Sequence, residues 1–148
     1  MRLLIVLALC LSAVACGRQI MIGRDGVIRV VVEGDQIVFD EPILFATDSD
    51  EILPESFPLI DKIAETMVEH NEVASATIEG HTDATGASDH NHDLSQRRAA
   101  SVVEALRSRN VTTPLVAAGI GEDRPLCSDD TDACHQRNRR VEIHIQTQ

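Results

Sequence analysis

The stretch GHTDATGASDHNHDLSQRRA, residues 80–99, gathers three histidines, three aspartates and two adjacent arginines. Three kinds of chemistry could use such a set. His81, His90 and His92, with carboxylates beside them, could hold a metal ion that activates water. Ser88, Ser95 or Ser101 could serve as a nucleophile next to a histidine base. Alternatively Asp83 and Arg98, fifteen residues apart, could meet the two charges of a zwitterion. Spacing serves the first two poorly. A catalytic zinc normally takes two ligands from one regular element, as H-E-x-x-H does on a helix, whereas His90 and His92 lie two apart in a segment that reads as loop. None of the serines sits in a G-x-S-x-G elbow between a strand and a helix.

The pair of opposite charges has better support. A strand ending near Gly80 and a helix carrying Arg98 would bring both groups to one mouth, because open α/β sheets bind ligands where their strands end. An arginine in the first turns of a helix also opposes the helix dipole, a mismatch that an anionic ligand group would relieve. An internal Asp83–Arg98 ion pair is compatible with the same spacing.

The rest of the chain must position these groups. Residues 27–32, 36–38 and 43–45 are rich in β-branched and aliphatic side chains around a Gly34-Asp35 turn and read as strands. Ser56 is placed to cap a helix whose first turn contains Pro58, where the missing N–H costs little. Leu59, Ile60, Ile63, Ala64, Met67 and Val68 then recur at helical spacing. A strand over 74–79 stops at Gly80, and a polar loop runs from 81 to about 93. A second helix carries Leu94, Ala99, Val102, Val103 and Leu106. Residues 115–119 read as a strand and 121–137 as a long loop. Val141, Ile143 and Ile145 alternate with Glu142, His144 and Gln146 in a half-buried final strand. Strands alternating with helices make an α/β (α+β) sandwich, with two helices packed on one sheet.

The 148 residues suit one domain. Hydrophobic residues make up 43% of the chain and aromatics 2%, so the core must be aliphatic. A net charge of -11 with a single lysine, Lys62, argues against nucleic acid, whose phosphates need a basic face, and against a polybasic membrane patch. The opening MRLLIVLALCLSAVACGRQ has one positive charge, a short apolar run and small residues before Cys16, the pattern of a signal peptide over 1–15. Ala13-Val14-Ala15-Cys16 also resembles a bacterial lipobox, with Ala13 where a large aliphatic residue is usual. Lipidation of Cys16 is the expected outcome, and Gly17 after it suits an outer-membrane destination. Residues 16–34 would then be the lipidated N-terminus, a short tether and a leading strand. Cys127 and Cys134 remain, flanking SDDTDA, and are expected to form a disulfide in an oxidising compartment. Zinc on these cysteines and His135 would lack the spacing of structural sites.

The opening stretch resembles the signature of the OmpA-like peptidoglycan-binding domain, in its peptidoglycan-associated-lipoprotein form. That signature reads G-H-x-D, a glycine, then N-x-x-L-S-x-x-R-A. Gly80, His81, Asp83, Gly86, Asn91, Leu94, Ser95, Arg98 and Ala99 fall on it. ILFATDSDEILPES (43–56) resembles the opening strand and helix entry of that domain. Gly119, Gly121 and Pro125 resemble its G-x-G-x-x-x-P turn, and Asn138-Arg139-Arg140-Val141 its N-R-R-V before the last strand. Together these motifs span residues 35–148.

The resemblance implies a β-α-β-α-β-β domain with two helices on one mixed sheet. It implies non-covalent binding of peptidoglycan through diaminopimelate in the stem peptide, with no enzymatic activity, no cofactor and no metal. Asp83 would take the ammonium of diaminopimelate and Arg98 would fork its carboxylate. Thr82 and Asn91 would add neutral hydrogen bonds, and Leu94 and Arg139 would complete the pocket, with the segment near 47–49 on its other side. Such a lipoprotein would tether the outer membrane, from its periplasmic face, to the cell wall, and envelope proteins are compatible further partners. The competing expectation from another class is a metal-dependent periplasmic hydrolase using His81, His90 and His92.

Overall fold

The computed structural model describes residues 27–148, so the expected signal peptide and the lipidation of Cys16 lie outside the described residues. Strands β1 (Val30–Glu33) and β2 (Gln36–Phe39) form a hairpin. A 3-10 turn at Pro54–Ser56 leads into α1 (Phe57–Glu69), with Pro58 in the first turn, as expected. Then follow β3 (Val73–His81), α2 (Ser88–Arg107), β4 (Leu115–Gly121), α3 (Asp132–Asn138) and β5 (Val141–Thr147).

The strands make one mixed sheet in the order β1-β2-β5-β3-β4, in which β3 and β4 are parallel and the other neighbours antiparallel. Parallel neighbours need a crossover, and α2 supplies it. The expected β-α-β-α-β-β order is thus present from β2 to β5, with β1 ahead of it and α3 inserted before the last strand.

The core follows from the two sequence periods. In β3, Ala76 and Ile78 are buried while Ser75, Thr77 and Glu79 are less so; in β5, Val141, Ile143 and Ile145 are buried between more exposed neighbours. Against these pack Leu59, Ile60, Ile63 and Met67 of α1 and Val102, Val103 and Leu106 of α2. Each such side chain stabilises the fold by about 1.5–3 kcal/mol. The core is aliphatic throughout, and Phe39 and Phe45 only flank it. Among the described residues no helix is long and apolar enough to cross a membrane.

Four local expectations change. Residues 43–45 join no sheet, because β2 already has β1 and β5 on its two edges. They fold back on their own segment instead: Phe45 bridges Ile52, and the Leu53 N–H donates to the Leu44 carbonyl at 2.9 Å. Ser56 does not cap α1 with its side chain; its Oγ accepts the Leu44 N–H at 2.7 Å, tying that segment to the helix start.

Helix α2 begins at Ser88, not after Asp93, because its first turns are polar and carry no apolar stripe to reveal them. Finally, part of the expected 121–137 loop is α3. Its seven residues are too few for hydrophobic periodicity, and its start is marked by Thr131, whose Oγ1 accepts the Cys134 N–H at 3.2 Å. The Cys127–Cys134 disulfide is present at the beginning of this helix.

Candidate functional site

The end of β3 is held against α2 by the absence of a side chain. A Cβ on Gly80 would lie 2.2 Å from the carbonyl oxygen of Ser95, so only glycine allows the two backbones this approach. Buried Ser95 locks the contact: its Oγ donates to the His92 carbonyl and accepts the Gly121 N–H, each at 2.9 Å. Past His81 the chain passes through Thr82 and Asp83, both buried, and Gly86 at φ 94° turns it into α2. Asn91 fixes this loop. Its Nδ2 donates to the carbonyls of Asp83 at 3.3 Å and Thr85 at 3.1 Å, and to Glu122 Oε2 at 2.6 Å.

Asp83 is 5% exposed. Its Oδ1 accepts the Thr85 N–H at 2.9 Å and the Thr85 hydroxyl, and its Oδ2 accepts from Arg139 Nη1. Burial raises its pKa, but the bonds from Thr85 and Arg139 outweigh burial and hold the carboxyl below the usual range. Asp83 is therefore an anion at neutral pH.

Arg98 reaches the same space from the eleventh residue of α2. Its guanidinium stacks over the Phe45 ring, 5.0 Å from the centroid, and its Nε donates to the Ser49 carbonyl at 2.8 Å. No described residue hydrogen-bonds its Nη atoms. Burial lowers its pKa, Asp48 opposes that, and the nearby charge of Arg139 adds to the lowering. An arginine stays charged under such shifts, so two guanidiniums stand close together here.

These groups line one cavity of about 520 Å³, which opens beside the segment of Phe45, Thr47 and Asp48. All six residues expected to bind, Thr82, Asp83, Asn91, Leu94, Arg98 and Arg139, lie on its wall. Thr82 Oγ1 is buried and has no hydrogen-bond partner among the described residues. The Asn91 amide group is engaged within the loop, which leaves its Oδ1 as the atom that could meet a ligand.

Two expectations fail. Asp83 pairs with Arg139, so the internal Asp83–Arg98 ion pair is not formed. Arg98 also lies three turns into α2, beyond the reach of the helix-dipole mismatch.

The three histidines do not converge. His90 Nε2 contacts Asp48 Oδ1 at 2.7 Å, and His92 Nε2 contacts Asp123 Oδ2 at 3.0 Å. His81 is 2% exposed. Burial pushes its pKa down to about 4, Arg140 adds to that, and Glu142 and Glu79 oppose it.

Several residues escaped the sequence reading. Thr85 did carry a signal, an Asp-x-Thr pair of the kind that closes a side-chain turn. Phe45 was read only as part of the 43–56 motif, with no role of its own. Gln136, on α3, gave no signal; it lines the cavity and accepts from Arg139 Nη2 at 2.7 Å. Asn138 pins this wall, accepting the Leu126 N–H at 2.8 Å and donating to the Cys127 carbonyl at 3.0 Å.

Comparison with known proteins places this geometry in context. The OmpA family model matches residues 44–139. The chain is 36% identical over 109 residues to the peptidoglycan-associated lipoprotein of Brucella melitensis, covering 73% of this chain and 61% of that protein. It is 34% identical to the peptidoglycan-binding protein ArfA of Mycobacterium bovis, over 70% of this chain and 32% of that protein. The chain therefore spans less than two thirds of the length of either relative. Among solved structures, the peptidoglycan-associated lipoprotein from Burkholderia pseudomallei aligns with a TM-score of 0.64 at 27% identity, covering 72% of this chain and 91% of that one.

Proposed function

The chain belongs to the OmpA family, and on that premise we propose that it binds peptidoglycan non-covalently through the free end of diaminopimelate in the stem peptide. The observation that carries this reading is the Arg98 guanidinium, stacked and half-buried in the cavity, with its Nη atoms unmatched by any described residue. Such a group calls for an anion of planar, two-oxygen shape, and a carboxylate fits its fork. Arg139 forms a second positive wall beside it.

The ammonium next to that carboxylate needs an acceptor, and Asp83 is the buried anion within the same cavity. Thr82 Oγ1 would give one neutral bond. Phe45 and Leu94 supply apolar wall for the methylene chain. A cavity of about 520 Å³ suits a stem side chain and leaves the glycan outside.

The function is binding rather than catalysis. A few charge-assisted bonds to a polar zwitterion give modest affinity per domain, and many copies against one polymer provide retention. Cleavage after Ala15 and lipidation of Cys16 would put the domain on the periplasmic face of the outer membrane, which it would tether to the wall. The relatives named lipoproteins and outer-membrane proteins support that envelope location. Metabolic labelling with a fatty acid, on the wild type and Cys16→Ala, tests the anchor.

The pocket is tested by co-sedimentation with purified peptidoglycan. Asp83→Ala and Arg98→Ala should each remain in the supernatant while folding normally, and free diaminopimelate should compete with the wild type. Undiminished sedimentation of both variants would overturn the assignment.

A further inference from the structure

Glu-x-His occurs twice on neighbouring strands: Glu79-Gly80-His81 closes β3 and Glu142-Ile143-His144 opens β5. The period of two sends the members of each pair to one face of their strand. The strands are antiparallel and Glu79 is opposite Glu142. The face turned away from the helices therefore carries two carboxylates side by side, with a histidine beyond each along opposite directions. Like charges directly opposed are unfavourable unless neutralised, and here Arg124 and Arg140 each take one of them.

Donor atoms of three of these residues, Glu79, His81 and Glu142, lie within 4.8 Å of one another. His81 Nε2 lies 3.8 Å from Glu79 Oε2 and 3.9 Å from Glu142 Oε2. His144 Nε2 lies 3.6 Å and 3.1 Å from the same two oxygens. A tetrahedral zinc with bonds of about 2.0–2.1 Å sets its ligand atoms roughly 3.4 Å apart.

The second, independent observation is His81 itself. Its side chain is 1% exposed and aimed at the carboxylates, yet neither ring nitrogen has a hydrogen-bond partner among the described residues. A buried polar atom left in this way is costly, and 3.8 Å is too long for a hydrogen bond to supply the remedy.

The geometry points to a divalent transition-metal site of the zinc class, with Glu79, His81 and Glu142 as ligands and a fourth position open to water. An imidazole nitrogen with two carboxylate oxygens forms a donor set suited to that ion rather than to calcium or magnesium, which take oxygen ligands. The surroundings fit with small adjustments. Arg140 Nε bonds Glu142 at Oε1 (2.6 Å), which leaves Oε2 to the ion and orients it. Arg124 is the competitor: its Nη1 bonds Glu79 Oε2 at 2.9 Å, but its side chain is 59% exposed and can swing into solvent.

The test is calorimetric titration of Zn²⁺ alone into the full chain, purified without a histidine tag and stripped with chelator, with Co²⁺ absorption as the spectroscopic readout. One ion per chain is expected, with the intense visible bands of tetrahedral Co²⁺. Glu142→Gln and Glu79→Gln, checked by circular dichroism to be folded, should each weaken binding by about tenfold or more. Arg124→Gln should tighten it, and His92→Gln should leave it unchanged. Absence of saturable binding would overturn the proposal. So would affinity that survives both Glu142→Gln and Glu79→Gln, which would place the ion elsewhere.

Discussion

Two charged clusters lie within a few residues of each other at the end of β3, and they differ in what each leaves unmatched. In the cavity the buried carboxylate, Asp83, is taken by Arg139, and Arg98, with Asp48 nearby, keeps Nη atoms that no described residue hydrogen-bonds. On the outer face two carboxylates have an arginine each, Arg124 on Glu79 and Arg140 on Glu142, and the imidazole of His81 has no hydrogen-bond partner among the described residues. The inventories are alike, but the surplus is not. A surplus guanidinium calls for an anion, and a surplus imidazole for a proton or a metal. What a cluster leaves unmatched says more about its ligand than the charges it contains.

The sharpest way to break this comparison is to remove one arginine from each cluster. Arg98→Ala should abolish peptidoglycan sedimentation, since charge-assisted bonds of about 1.5–3 kcal/mol each are lost together. Arg124→Ala, at an arginine already matched and outside the cavity lining, should sediment like the wild type. Equal losses would mean that general positive charge, and not an unmatched fork, drives binding. Arg98→Lys should resemble Arg98→Ala more than the wild type, because an ammonium keeps the charge without the planar fork.

Next in size is Gly80→Ala, which strikes both clusters by moving the strand they share. The new Cβ would meet the Ser95 carbonyl at 2.2 Å, backbone against backbone, where no rotamer can relieve it. A loss of ~3 kcal/mol or more is expected, read as a lower urea midpoint. An unshifted midpoint would show that α2 can slide on the sheet.

How far each cluster could be read from sequence follows from the same geometry. Gly80, Asp83, Gly86, Asn91 and Arg98 fall within one strand–loop–helix passage, so their order in the chain resembles their order in space. The glycines mark the close approach and the turn, and the helix stripe places Arg98 near the loop. Arg139 was legible only through its N-R-R-V motif, and its bond to Asp83, 56 residues away, only through the fold.

Helix α3 and the early start of α2 were hidden because polar, solvated turns leave no periodicity. The outer-face cluster was the least visible. Glu-x-His pairs at 79–81 and 142–144 look unrelated until the β3–β5 register sets Glu79 opposite Glu142. The sequence instead drew attention to His81, His90 and His92, whose nearness along the chain is not nearness in space.

A pH titration sharpens the outer half of the comparison. His81 has a folded pKa of about 4 against an ordinary 6.5, so the unfolded chain binds its proton first as pH falls. Its neutral burial leaves stability intact above 6.5 and erodes it progressively between 6.5 and about 4. Between pH 7 and pH 5 the loss should be ~2 kcal/mol, measured by urea unfolding. His81→Leu should flatten that slope. Asp83 and Glu142, whose pKa values are lowered, shift in the opposite sense: their contribution holds above the ordinary carboxylate range and falls only at more acid pH. A slope unchanged in His81→Leu would assign the acid sensitivity to other groups.

The smallest expected effect tests the cavity half, at a residue that the sequence signature does not include. Thr85 holds Asp83 Oδ1 with both its backbone N–H and its hydroxyl. Thr85→Val keeps the β-branched shape and the backbone bond and removes only the hydroxyl. The carboxyl pKa of Asp83 should therefore rise toward the ordinary range, visible by NMR titration, and stability should fall by ~1 kcal/mol. Peptidoglycan affinity should drop a few-fold and not vanish, because the bond from Arg139 still orients Asp83. If binding instead rises, the hydroxyl has been competing with the ligand's ammonium for the same oxygen. Asp83 would then meet its ligand through Oδ1, with Oδ2 held by Arg139 as part of the wall.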